Sequence, residues 1–260
     1  MKLTADNYYT AEANNAYWSA SQVKAFLSCP ARALAELKGE WSQPPGQALL
    51  IGSYVDAAIE GDAALEQFRG THPELFKRDG SLKAEFVKAQ EMVDRAKQDE
   101  VFTAYLDGEK QKILTGTIDG LPFKAKLDVY NGERIVDVKT VRDTKPMYKP
   151  GEGRLTFADY WQWPLQMAIY QALEGNRLPC YLAVITKEDP PGLELVEIEQ
   201  EKMDAEMSFL EEKLPYFDAI KQGIVEPERC ENCAYCRATR KLTGPRPLET
   251  FIELGGNNIE

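Results

Sequence analysis

The sequence predicts an α/β domain in which a central mixed β-sheet is flanked by helices and covered by an N-terminal helical layer. Three observations carry this expectation. Apolar residues recur at helical spacing through much of residues 19–105, the period changes to alternation between 112 and 140, and a helix, two strands and a long helix follow from residue 158. A single domain is expected over 1–260, with a helical part at 1–108, the sheet and its helix at 109–200, and a C-terminal helix with a cysteine-containing tail at 201–260.

Residues 19–38 open with serines suited to capping and place Val23, Phe26, Leu27, Leu34 and Leu37 at helical spacing, with Pro30 dividing two short helices. A turn-rich segment, 42–46, precedes a buried helix over 48–60, in which Asp56 is the polar exception among Leu49, Leu50, Val55, Ala58 and Ile59. Leu82, Phe86, Ala89, Met92, Val93 and Ala96 mark an amphipathic helix within 81–105 that continues into a second, short one. The runs 112–118, 121–130 and 134–140 are β-rich and separated by Asp119-Gly120 and Asn131-Gly132, the favoured hairpin dipeptides, so three antiparallel strands are expected. In 158–174, Pro164 is comfortable only in a first turn, which places the start of the ordered helix near Trp163. Strands over 181–187 and 193–198, a helix over 200–223 and a polar tail ending GGNNIE complete the chain.

The 260 residues are 43% hydrophobic and 28% charged, a balance that folds rather than stays disordered. A net charge of −11 disfavours indiscriminate coating of nucleic acid or anionic lipid, so any DNA contact must be local. No apolar run approaches the ~18 residues of a membrane span and no secretory h-region opens the chain; a cytoplasmic protein without a membrane partner is expected. The single histidine, His72, sits before Pro73 and reads as a loop residue, so Ser-His-Asp catalysis and two-histidine zinc sites lack their parts. GxSxG, Walker A and GxGxxG patterns are absent, which leaves chemistry to carboxylates. Cys230, Cys233 and Cys236 at two-residue spacing, with Cys29 as the candidate fourth ligand, suit zinc or an iron–sulfur cluster in a reducing compartment; reduced thiols on a turn are the alternative. Cys180 reads as a small buried thiol at a strand start.

Strand alternation puts Lys124, Lys126, Asp128 and Tyr130 on one face, with Phe123, Ala125, Leu127 and Val129 on the other. The same rule puts Asp137 and Lys139 together with Val136 and Val138 behind them. With a two-residue loop at Asn131-Gly132, Asp137 lies one diagonal step from Asp128; with a four-residue loop it lies directly opposite. Two carboxylates this close repel, and a divalent cation, Mg²⁺ or Mn²⁺, relieves the repulsion and accepts a phosphate oxygen as ligand. Lys139 beside them then assists attack of a metal-activated water on a phosphodiester. A structural Asp–Lys ion pair is the alternative for Asp137 and Lys139 alone, and Asp128 weighs against it. Residues 124–154 hold eight basic and five acidic side chains, including Lys126 and Lys145, a local strip suited to a polyphosphate strand beside a mobile loop at 150–154. Gln166 and Tyr170 share a helix face from which they could reach a phosphate.

Asp128, Ile135-Val-Asp137-Val-Lys139 and the Gln166/Tyr170 pair resemble the motifs of PD-(D/E)XK nucleases of the RecB-like branch, and the chain resembles the phage-type exonuclease VIII (RecE-like) family. The resemblance extends over nearly the whole length and includes Gly52-Ser-Tyr-Val-Asp56, Val184-Ile-Thr-Lys187 and the cysteine triplet. It implies the restriction-endonuclease-like fold, metal at Asp128 and Asp137, and catalysis by Lys139. Many relatives carry a histidine ligand where this chain has Asp56, which implies Asp56 as an oxygen ligand in its place. Cys29-Pro30 followed by three late cysteines is also similar to iron–sulfur nucleases, whose C-terminal spacing is usually wider. The resemblance implies Mg²⁺-dependent 5′-to-3′ digestion of duplex DNA ends, a 3′ strand delivered to a RecT-like annealing protein, and a homo-oligomeric ring around DNA. Two rival readings stand beside it: a catalytically decayed DNA-end or protein-binding module, and an iron–sulfur nuclease acting on single strands.

Overall fold

Asp119 and Gly120 both take positive φ, +49° and +74°, the backbone of a two-residue hairpin. Strand β1 (Glu109–Ile118) therefore turns directly into β2 (Leu121–Tyr130), from the closing pair Ile118–Leu121. The second turn is longer. Asn131 Oδ1 accepts from the backbone N–H groups of Glu133 at 3.0 Å and Arg134 at 3.1 Å, so the side chain itself closes a four-residue loop. β3 (Ile135–Val141) consequently pairs as Tyr130–Ile135 and Val129–Val136, the register that aims Asp128 at Asp137. The two-residue loop considered for Asn131-Gly132 is not formed.

The computed structural model describes residues 1–44, 46–242, 244–245 and 247–248, and the GGNNIE tail lies outside them. After β3, a small hairpin of β4 (Met147–Lys149) and β5 (Gly153–Leu155) occupies the segment expected as a mobile loop. Its turn is closed by the Glu152 N–H on the Lys149 carbonyl and by Gly151 and Gly153 at φ +81°. β6 (Cys180–Thr186) runs parallel to β3 and β7 (Leu193–Ile198) antiparallel to β6, giving a five-stranded sheet in the order β1-β2-β3-β6-β7.

The helices are α1 (Ala11–Ala16), α2 (Ala20–Ser28), α3 (Pro30–Leu37), α4 (Gln47–Glu60), α5 (Asp62–Thr71), α6 (Ala84–Gln98), α7 (Glu100–Tyr105), α8 (Phe157–Tyr160), α9 (Trp163–Glu174), α10 (Gln200–Lys221) and α11 (Ala234–Ala238). Ser19 caps α2 through the Gln22 N–H, Pro30 starts α3, and Pro164 sits in the first turn of α9. α1, α5 and α11 were not anticipated; α1 and α11 are too short to show a period, and α5 is separated from α4 only by Gly61. Among the described residues no helix is long and apolar enough to cross a membrane.

Two apolar clusters sandwich the sheet. One joins Val23, Phe26, Leu165, Ile169 and Leu214 of α2, α9 and α10 to Phe123, Leu127, Ile135, Leu182 and Val184. The other joins Tyr54, Val55, Phe86, Met92 and Val93 of α4 and α6 to Val129, Val136, Val138 and Ile185. Leu127 and Val129 thus lie in different clusters, a departure from the strict alternation expected of β2. Across the ladder, between the Lys110–Val129 and Lys112–Leu127 pairs, Gln111 adopts φ +53°. β2 and β3 pair only at Val129–Val136 and Tyr130–Ile135, and further along β2 the backbone of Trp18 occupies the edge β3 leaves: its N–H donates to the Pro122 carbonyl and its carbonyl accepts from Lys124 N–H, both at 2.8 Å.

Candidate active site and the cysteine corner

Where the β2–β3 ladder ends, three elements deliver carboxylates to one cleft of about 610 Å³: Asp128 from β2, Asp137 from β3 and Asp56 from α4. Asp137 is 2% exposed. Its Oδ1 accepts from Gln166 Nε2 at 2.9 Å, and its Oδ2 is ion-paired with the Lys139 ammonium. Asp128 Oδ2 accepts the Val138 N–H at 2.9 Å, a backbone group freed because the ladder has stopped.

The electrostatics record a conflict. Burial pushes the Asp128 carboxyl well above the usual carboxylate range, and the charges of Asp137 and Asp56 push it further. Burial, reinforced by Asp137 and opposed by Lys139, lifts Asp56 to about 7. For Lys139, burial acts to lower the pKa, but Asp137 and Asp128 outweigh it and hold the ammonium above its ordinary value. Four carboxyl groups, Asp56, Glu60, Asp128 and Asp137, face two lysines, Lys126 and Lys139, across the cleft, so acid outnumbers base there, and a buried excess is costly. The donor set, carboxylate oxygens from three separate elements, fits a hard divalent cation, and Asp56, Asp128 and Asp137 are the residues that would hold it.

The other residues singled out in the sequence fall in different places. Gln166 and Tyr170 line the cleft but are buried, and every polar position of Gln166 is engaged: Nε2 donates to Asp137 and, at 3.1 Å, to Tyr170 Oη, while Oε1 accepts from Lys24 Nζ at 2.8 Å. In this arrangement both amide protons of Gln166 are already committed to Asp137 and Tyr170. Lys126 lines the cleft with its ammonium 4.9 Å from the Tyr9 ring centroid. Lys145 is exposed after β3 and does not line the cleft. Lys124, counted in the basic strip, is buried and donates to Asn14 Oδ1 at 2.7 Å, so it is removed from any binding surface. Lys24, which burial and the charge of Lys139 lower to about 8, was missed; one lysine on an amphipathic helix carries no signal of its own. Glu60 also lines the cleft, and its place one turn after Asp56 could have been read from sequence. His72 follows α5 and stacks on Phe68, and Cys180 begins β6, where burial pushes its thiol up to about 12.

The remaining cysteines meet elsewhere. Cys29, at the α2–α3 break, converges with Cys230, Cys233 and Cys236 so that the four Sγ atoms all lie within 4.8 Å of one another, a grouping able to bind a metal ion.

A central mixed sheet flanked by helices, with an Asp–Asp–Lys cleft where two strands part, defines the PD-(D/E)XK fold class. The chain belongs to the family described as a PDDEXK-like domain of unknown function (DUF3799), whose model matches residues 19–239. Among solved structures, the crystal structure of a "Putative exonuclease" from Eubacterium rectale superposes with a TM-score of 0.92 at 34% identity, over 99% of this chain and 100% of that one. The structure of SSO0001 gives a TM-score of only 0.31 at 12% identity, over 83% of this chain and 91% of that one, too loose to carry an argument. No curated protein matches the chain. These relationships support the superfamily reading and a nuclease; they do not extend to the RecE-like family.

Proposed function

We propose that the protein is a metal-dependent exodeoxyribonuclease acting on linear duplex DNA ends, with Mg²⁺ or Mn²⁺ held by Asp56, Asp128 and Asp137. The observation that carries this reading is the buried Asp137, which shares its two oxygens between Gln166 and Lys139 in a cleft that also holds two carboxylates of raised pKa. The likeness to the Eubacterium rectale protein adds support for exonuclease action.

A bound divalent ion supplies Lewis acidity toward the phosphodiester and its attacking water. The chain's own residues do the rest. Lys139 places a fixed positive charge beside the position where the phosphate gains negative charge. Gln166 and Tyr170 keep Asp137 in its orientation, and Lys24 fixes the Gln166 amide. Lys126 at the cleft and Lys145 beyond it are the positions proposed to follow the DNA backbone. Digestion is proposed to run 5′ to 3′, leaving a 3′ strand for a RecT-like annealing partner in phage-type recombination. A homo-oligomeric ring is the assembly that would hold DNA despite the net charge of −11.

The test is digestion of linear duplex labelled at either the 5′ or the 3′ end, with Mg²⁺ and Mn²⁺ titrated. Early release of the 5′ label supports the proposed polarity; early release of the 3′ label reverses it. Intact DNA that is still bound, unchanged by Lys139→Ala, would establish the decayed binding module instead.

A further inference from the structure

Outside the cleft, the strongest concentration of unused chemistry is the cysteine corner. We propose that Cys29, Cys230, Cys233 and Cys236 hold one tetrahedral zinc ion, a structural centre separate from the carboxylate site. The sulfur spacing carries the inference. Cys29 Sγ lies 3.6 Å from Cys236 Sγ and 3.9 Å from Cys233 Sγ, and Cys230 Sγ lies 3.9 Å from Cys236 Sγ. Four thiolates around one ion at ~2.3 Å form a tetrahedron with edges of about 3.8 Å. In a four-iron cluster each thiolate caps a different iron, which spreads the sulfurs to roughly 6 Å. The corner is too tight for such a cluster, and its sulfurs stand well beyond the ~2.05 Å of a disulfide.

The backbone is arranged for thiolates rather than thiols. The N–H of Cys233 points at Cys230 Sγ at 3.3 Å, and the N–H of Cys236 points at Cys233 Sγ at 3.4 Å, so two sulfurs accept hydrogen bonds within the loop. Ordinary packing of small apolar side chains accounts for a pair of buried cysteines; it does not account for four from chain ends about 200 residues apart, with amides aimed at two of them. A divalent ion with four thiolates carries two net negative charges; Arg229, Arg237 and Arg240 stand beside the cysteines, Arg229 donating to the Cys236 carbonyl at 2.7 Å, and Glu231 pairs with Arg229 and Arg240. Cys29 and Cys236 are fully buried, and Tyr235 of the loop packs edge-on against Trp41. All four ligands come from the protein, which leaves no open position and marks the centre as structural.

The experiment is metal analysis of the full chain, purified both with and without oxygen and without metal-affinity steps. The expected result is about one zinc per chain and no acid-labile sulfide. A mercurial that blocks the thiols should release that zinc, and Co²⁺ exchanged into the wild-type protein should show thiolate charge-transfer bands and the visible bands of tetrahedral cobalt. Cys233→Ser, at a half-buried ligand, should weaken or shift the cobalt bands. The wild-type measurements stand if that variant fails to fold. Iron in place of zinc, with or without sulfide, overturns the proposal, as does a folded, metal-free chain whose four thiols react freely and take up no Co²⁺. None of these readouts depends on DNA cleavage, so the result is independent of the nuclease reading.

Discussion

The carboxylate cleft and the cysteine corner both collect ligand-type side chains from distant parts of the chain, yet they are built in opposite ways. The cleft joins hard oxygen donors in an open cavity, with the Lys139 ammonium ion-paired to one of them. The corner joins four soft sulfur donors, two of them sealed from solvent, with amides turned toward the loop sulfurs. An open oxygen site that keeps its charges in conflict suits a loosely held ion that must also meet a substrate. A closed sulfur site suits an ion that stays. On the two proposals made above, chemistry and architecture are divided between two regions of one fold.

The sharpest way to break this comparison is Lys139→Ala, which should lower the cleavage rate by roughly 10²–10⁴ with an unchanged circular dichroism spectrum. A loss of folding with the rate would place Lys139 in the architecture instead. Gln166→Ala should lower kcat by roughly 10–100-fold while DNA affinity stays the same, because its amide orients Asp137 rather than touching phosphate. A rise in KM alone would restore the direct-contact reading. Asp56→Asn tests the conflict itself. A carboxyl whose folded pKa is raised to about 7 stabilises the fold in acid, and that contribution is lost as pH rises through about 7. In EDTA at pH 8 the variant should therefore melt a few degrees above wild type, at ~2–4 °C per kcal/mol, and the gap should close as pH falls toward 4. An equal Tm at pH 8 would show that Asp56 carries no buried charge. The smallest effect is expected at Lys145→Ala, a few-fold loss of DNA affinity with the salt slope reduced by about one and kcat untouched.

Much of this division was legible in the residues. Alternation placed Asp137 beside Lys139, helical periodicity drew α4, α6 and α9, and the positions of Pro30 and Pro164 marked helix starts. The second hairpin register was not decidable, because Asn131-Gly132 suits a two-residue turn equally well and only the Asn131 side chain, folded back on Glu133 and Arg134, selects the longer loop. Period-two reasoning also failed across Leu127–Val129, which lie in different apolar clusters beside a positive-φ residue, Gln111, on the neighbouring strand. Lys24 and the burial of Lys124 depend on how the N-terminal layer docks, information that a linear pattern of charge does not carry.

The Trp18 segment that fills the vacated edge of β2 has a practical consequence. Trimming the chain beyond that tryptophan would leave the Pro122 carbonyl and the Lys124 amide at the edge of β2 without these partners, a start for pairing with another copy. A chain that begins after Trp18 is therefore expected to self-associate, which sedimentation of the shortened protein against the full chain would show.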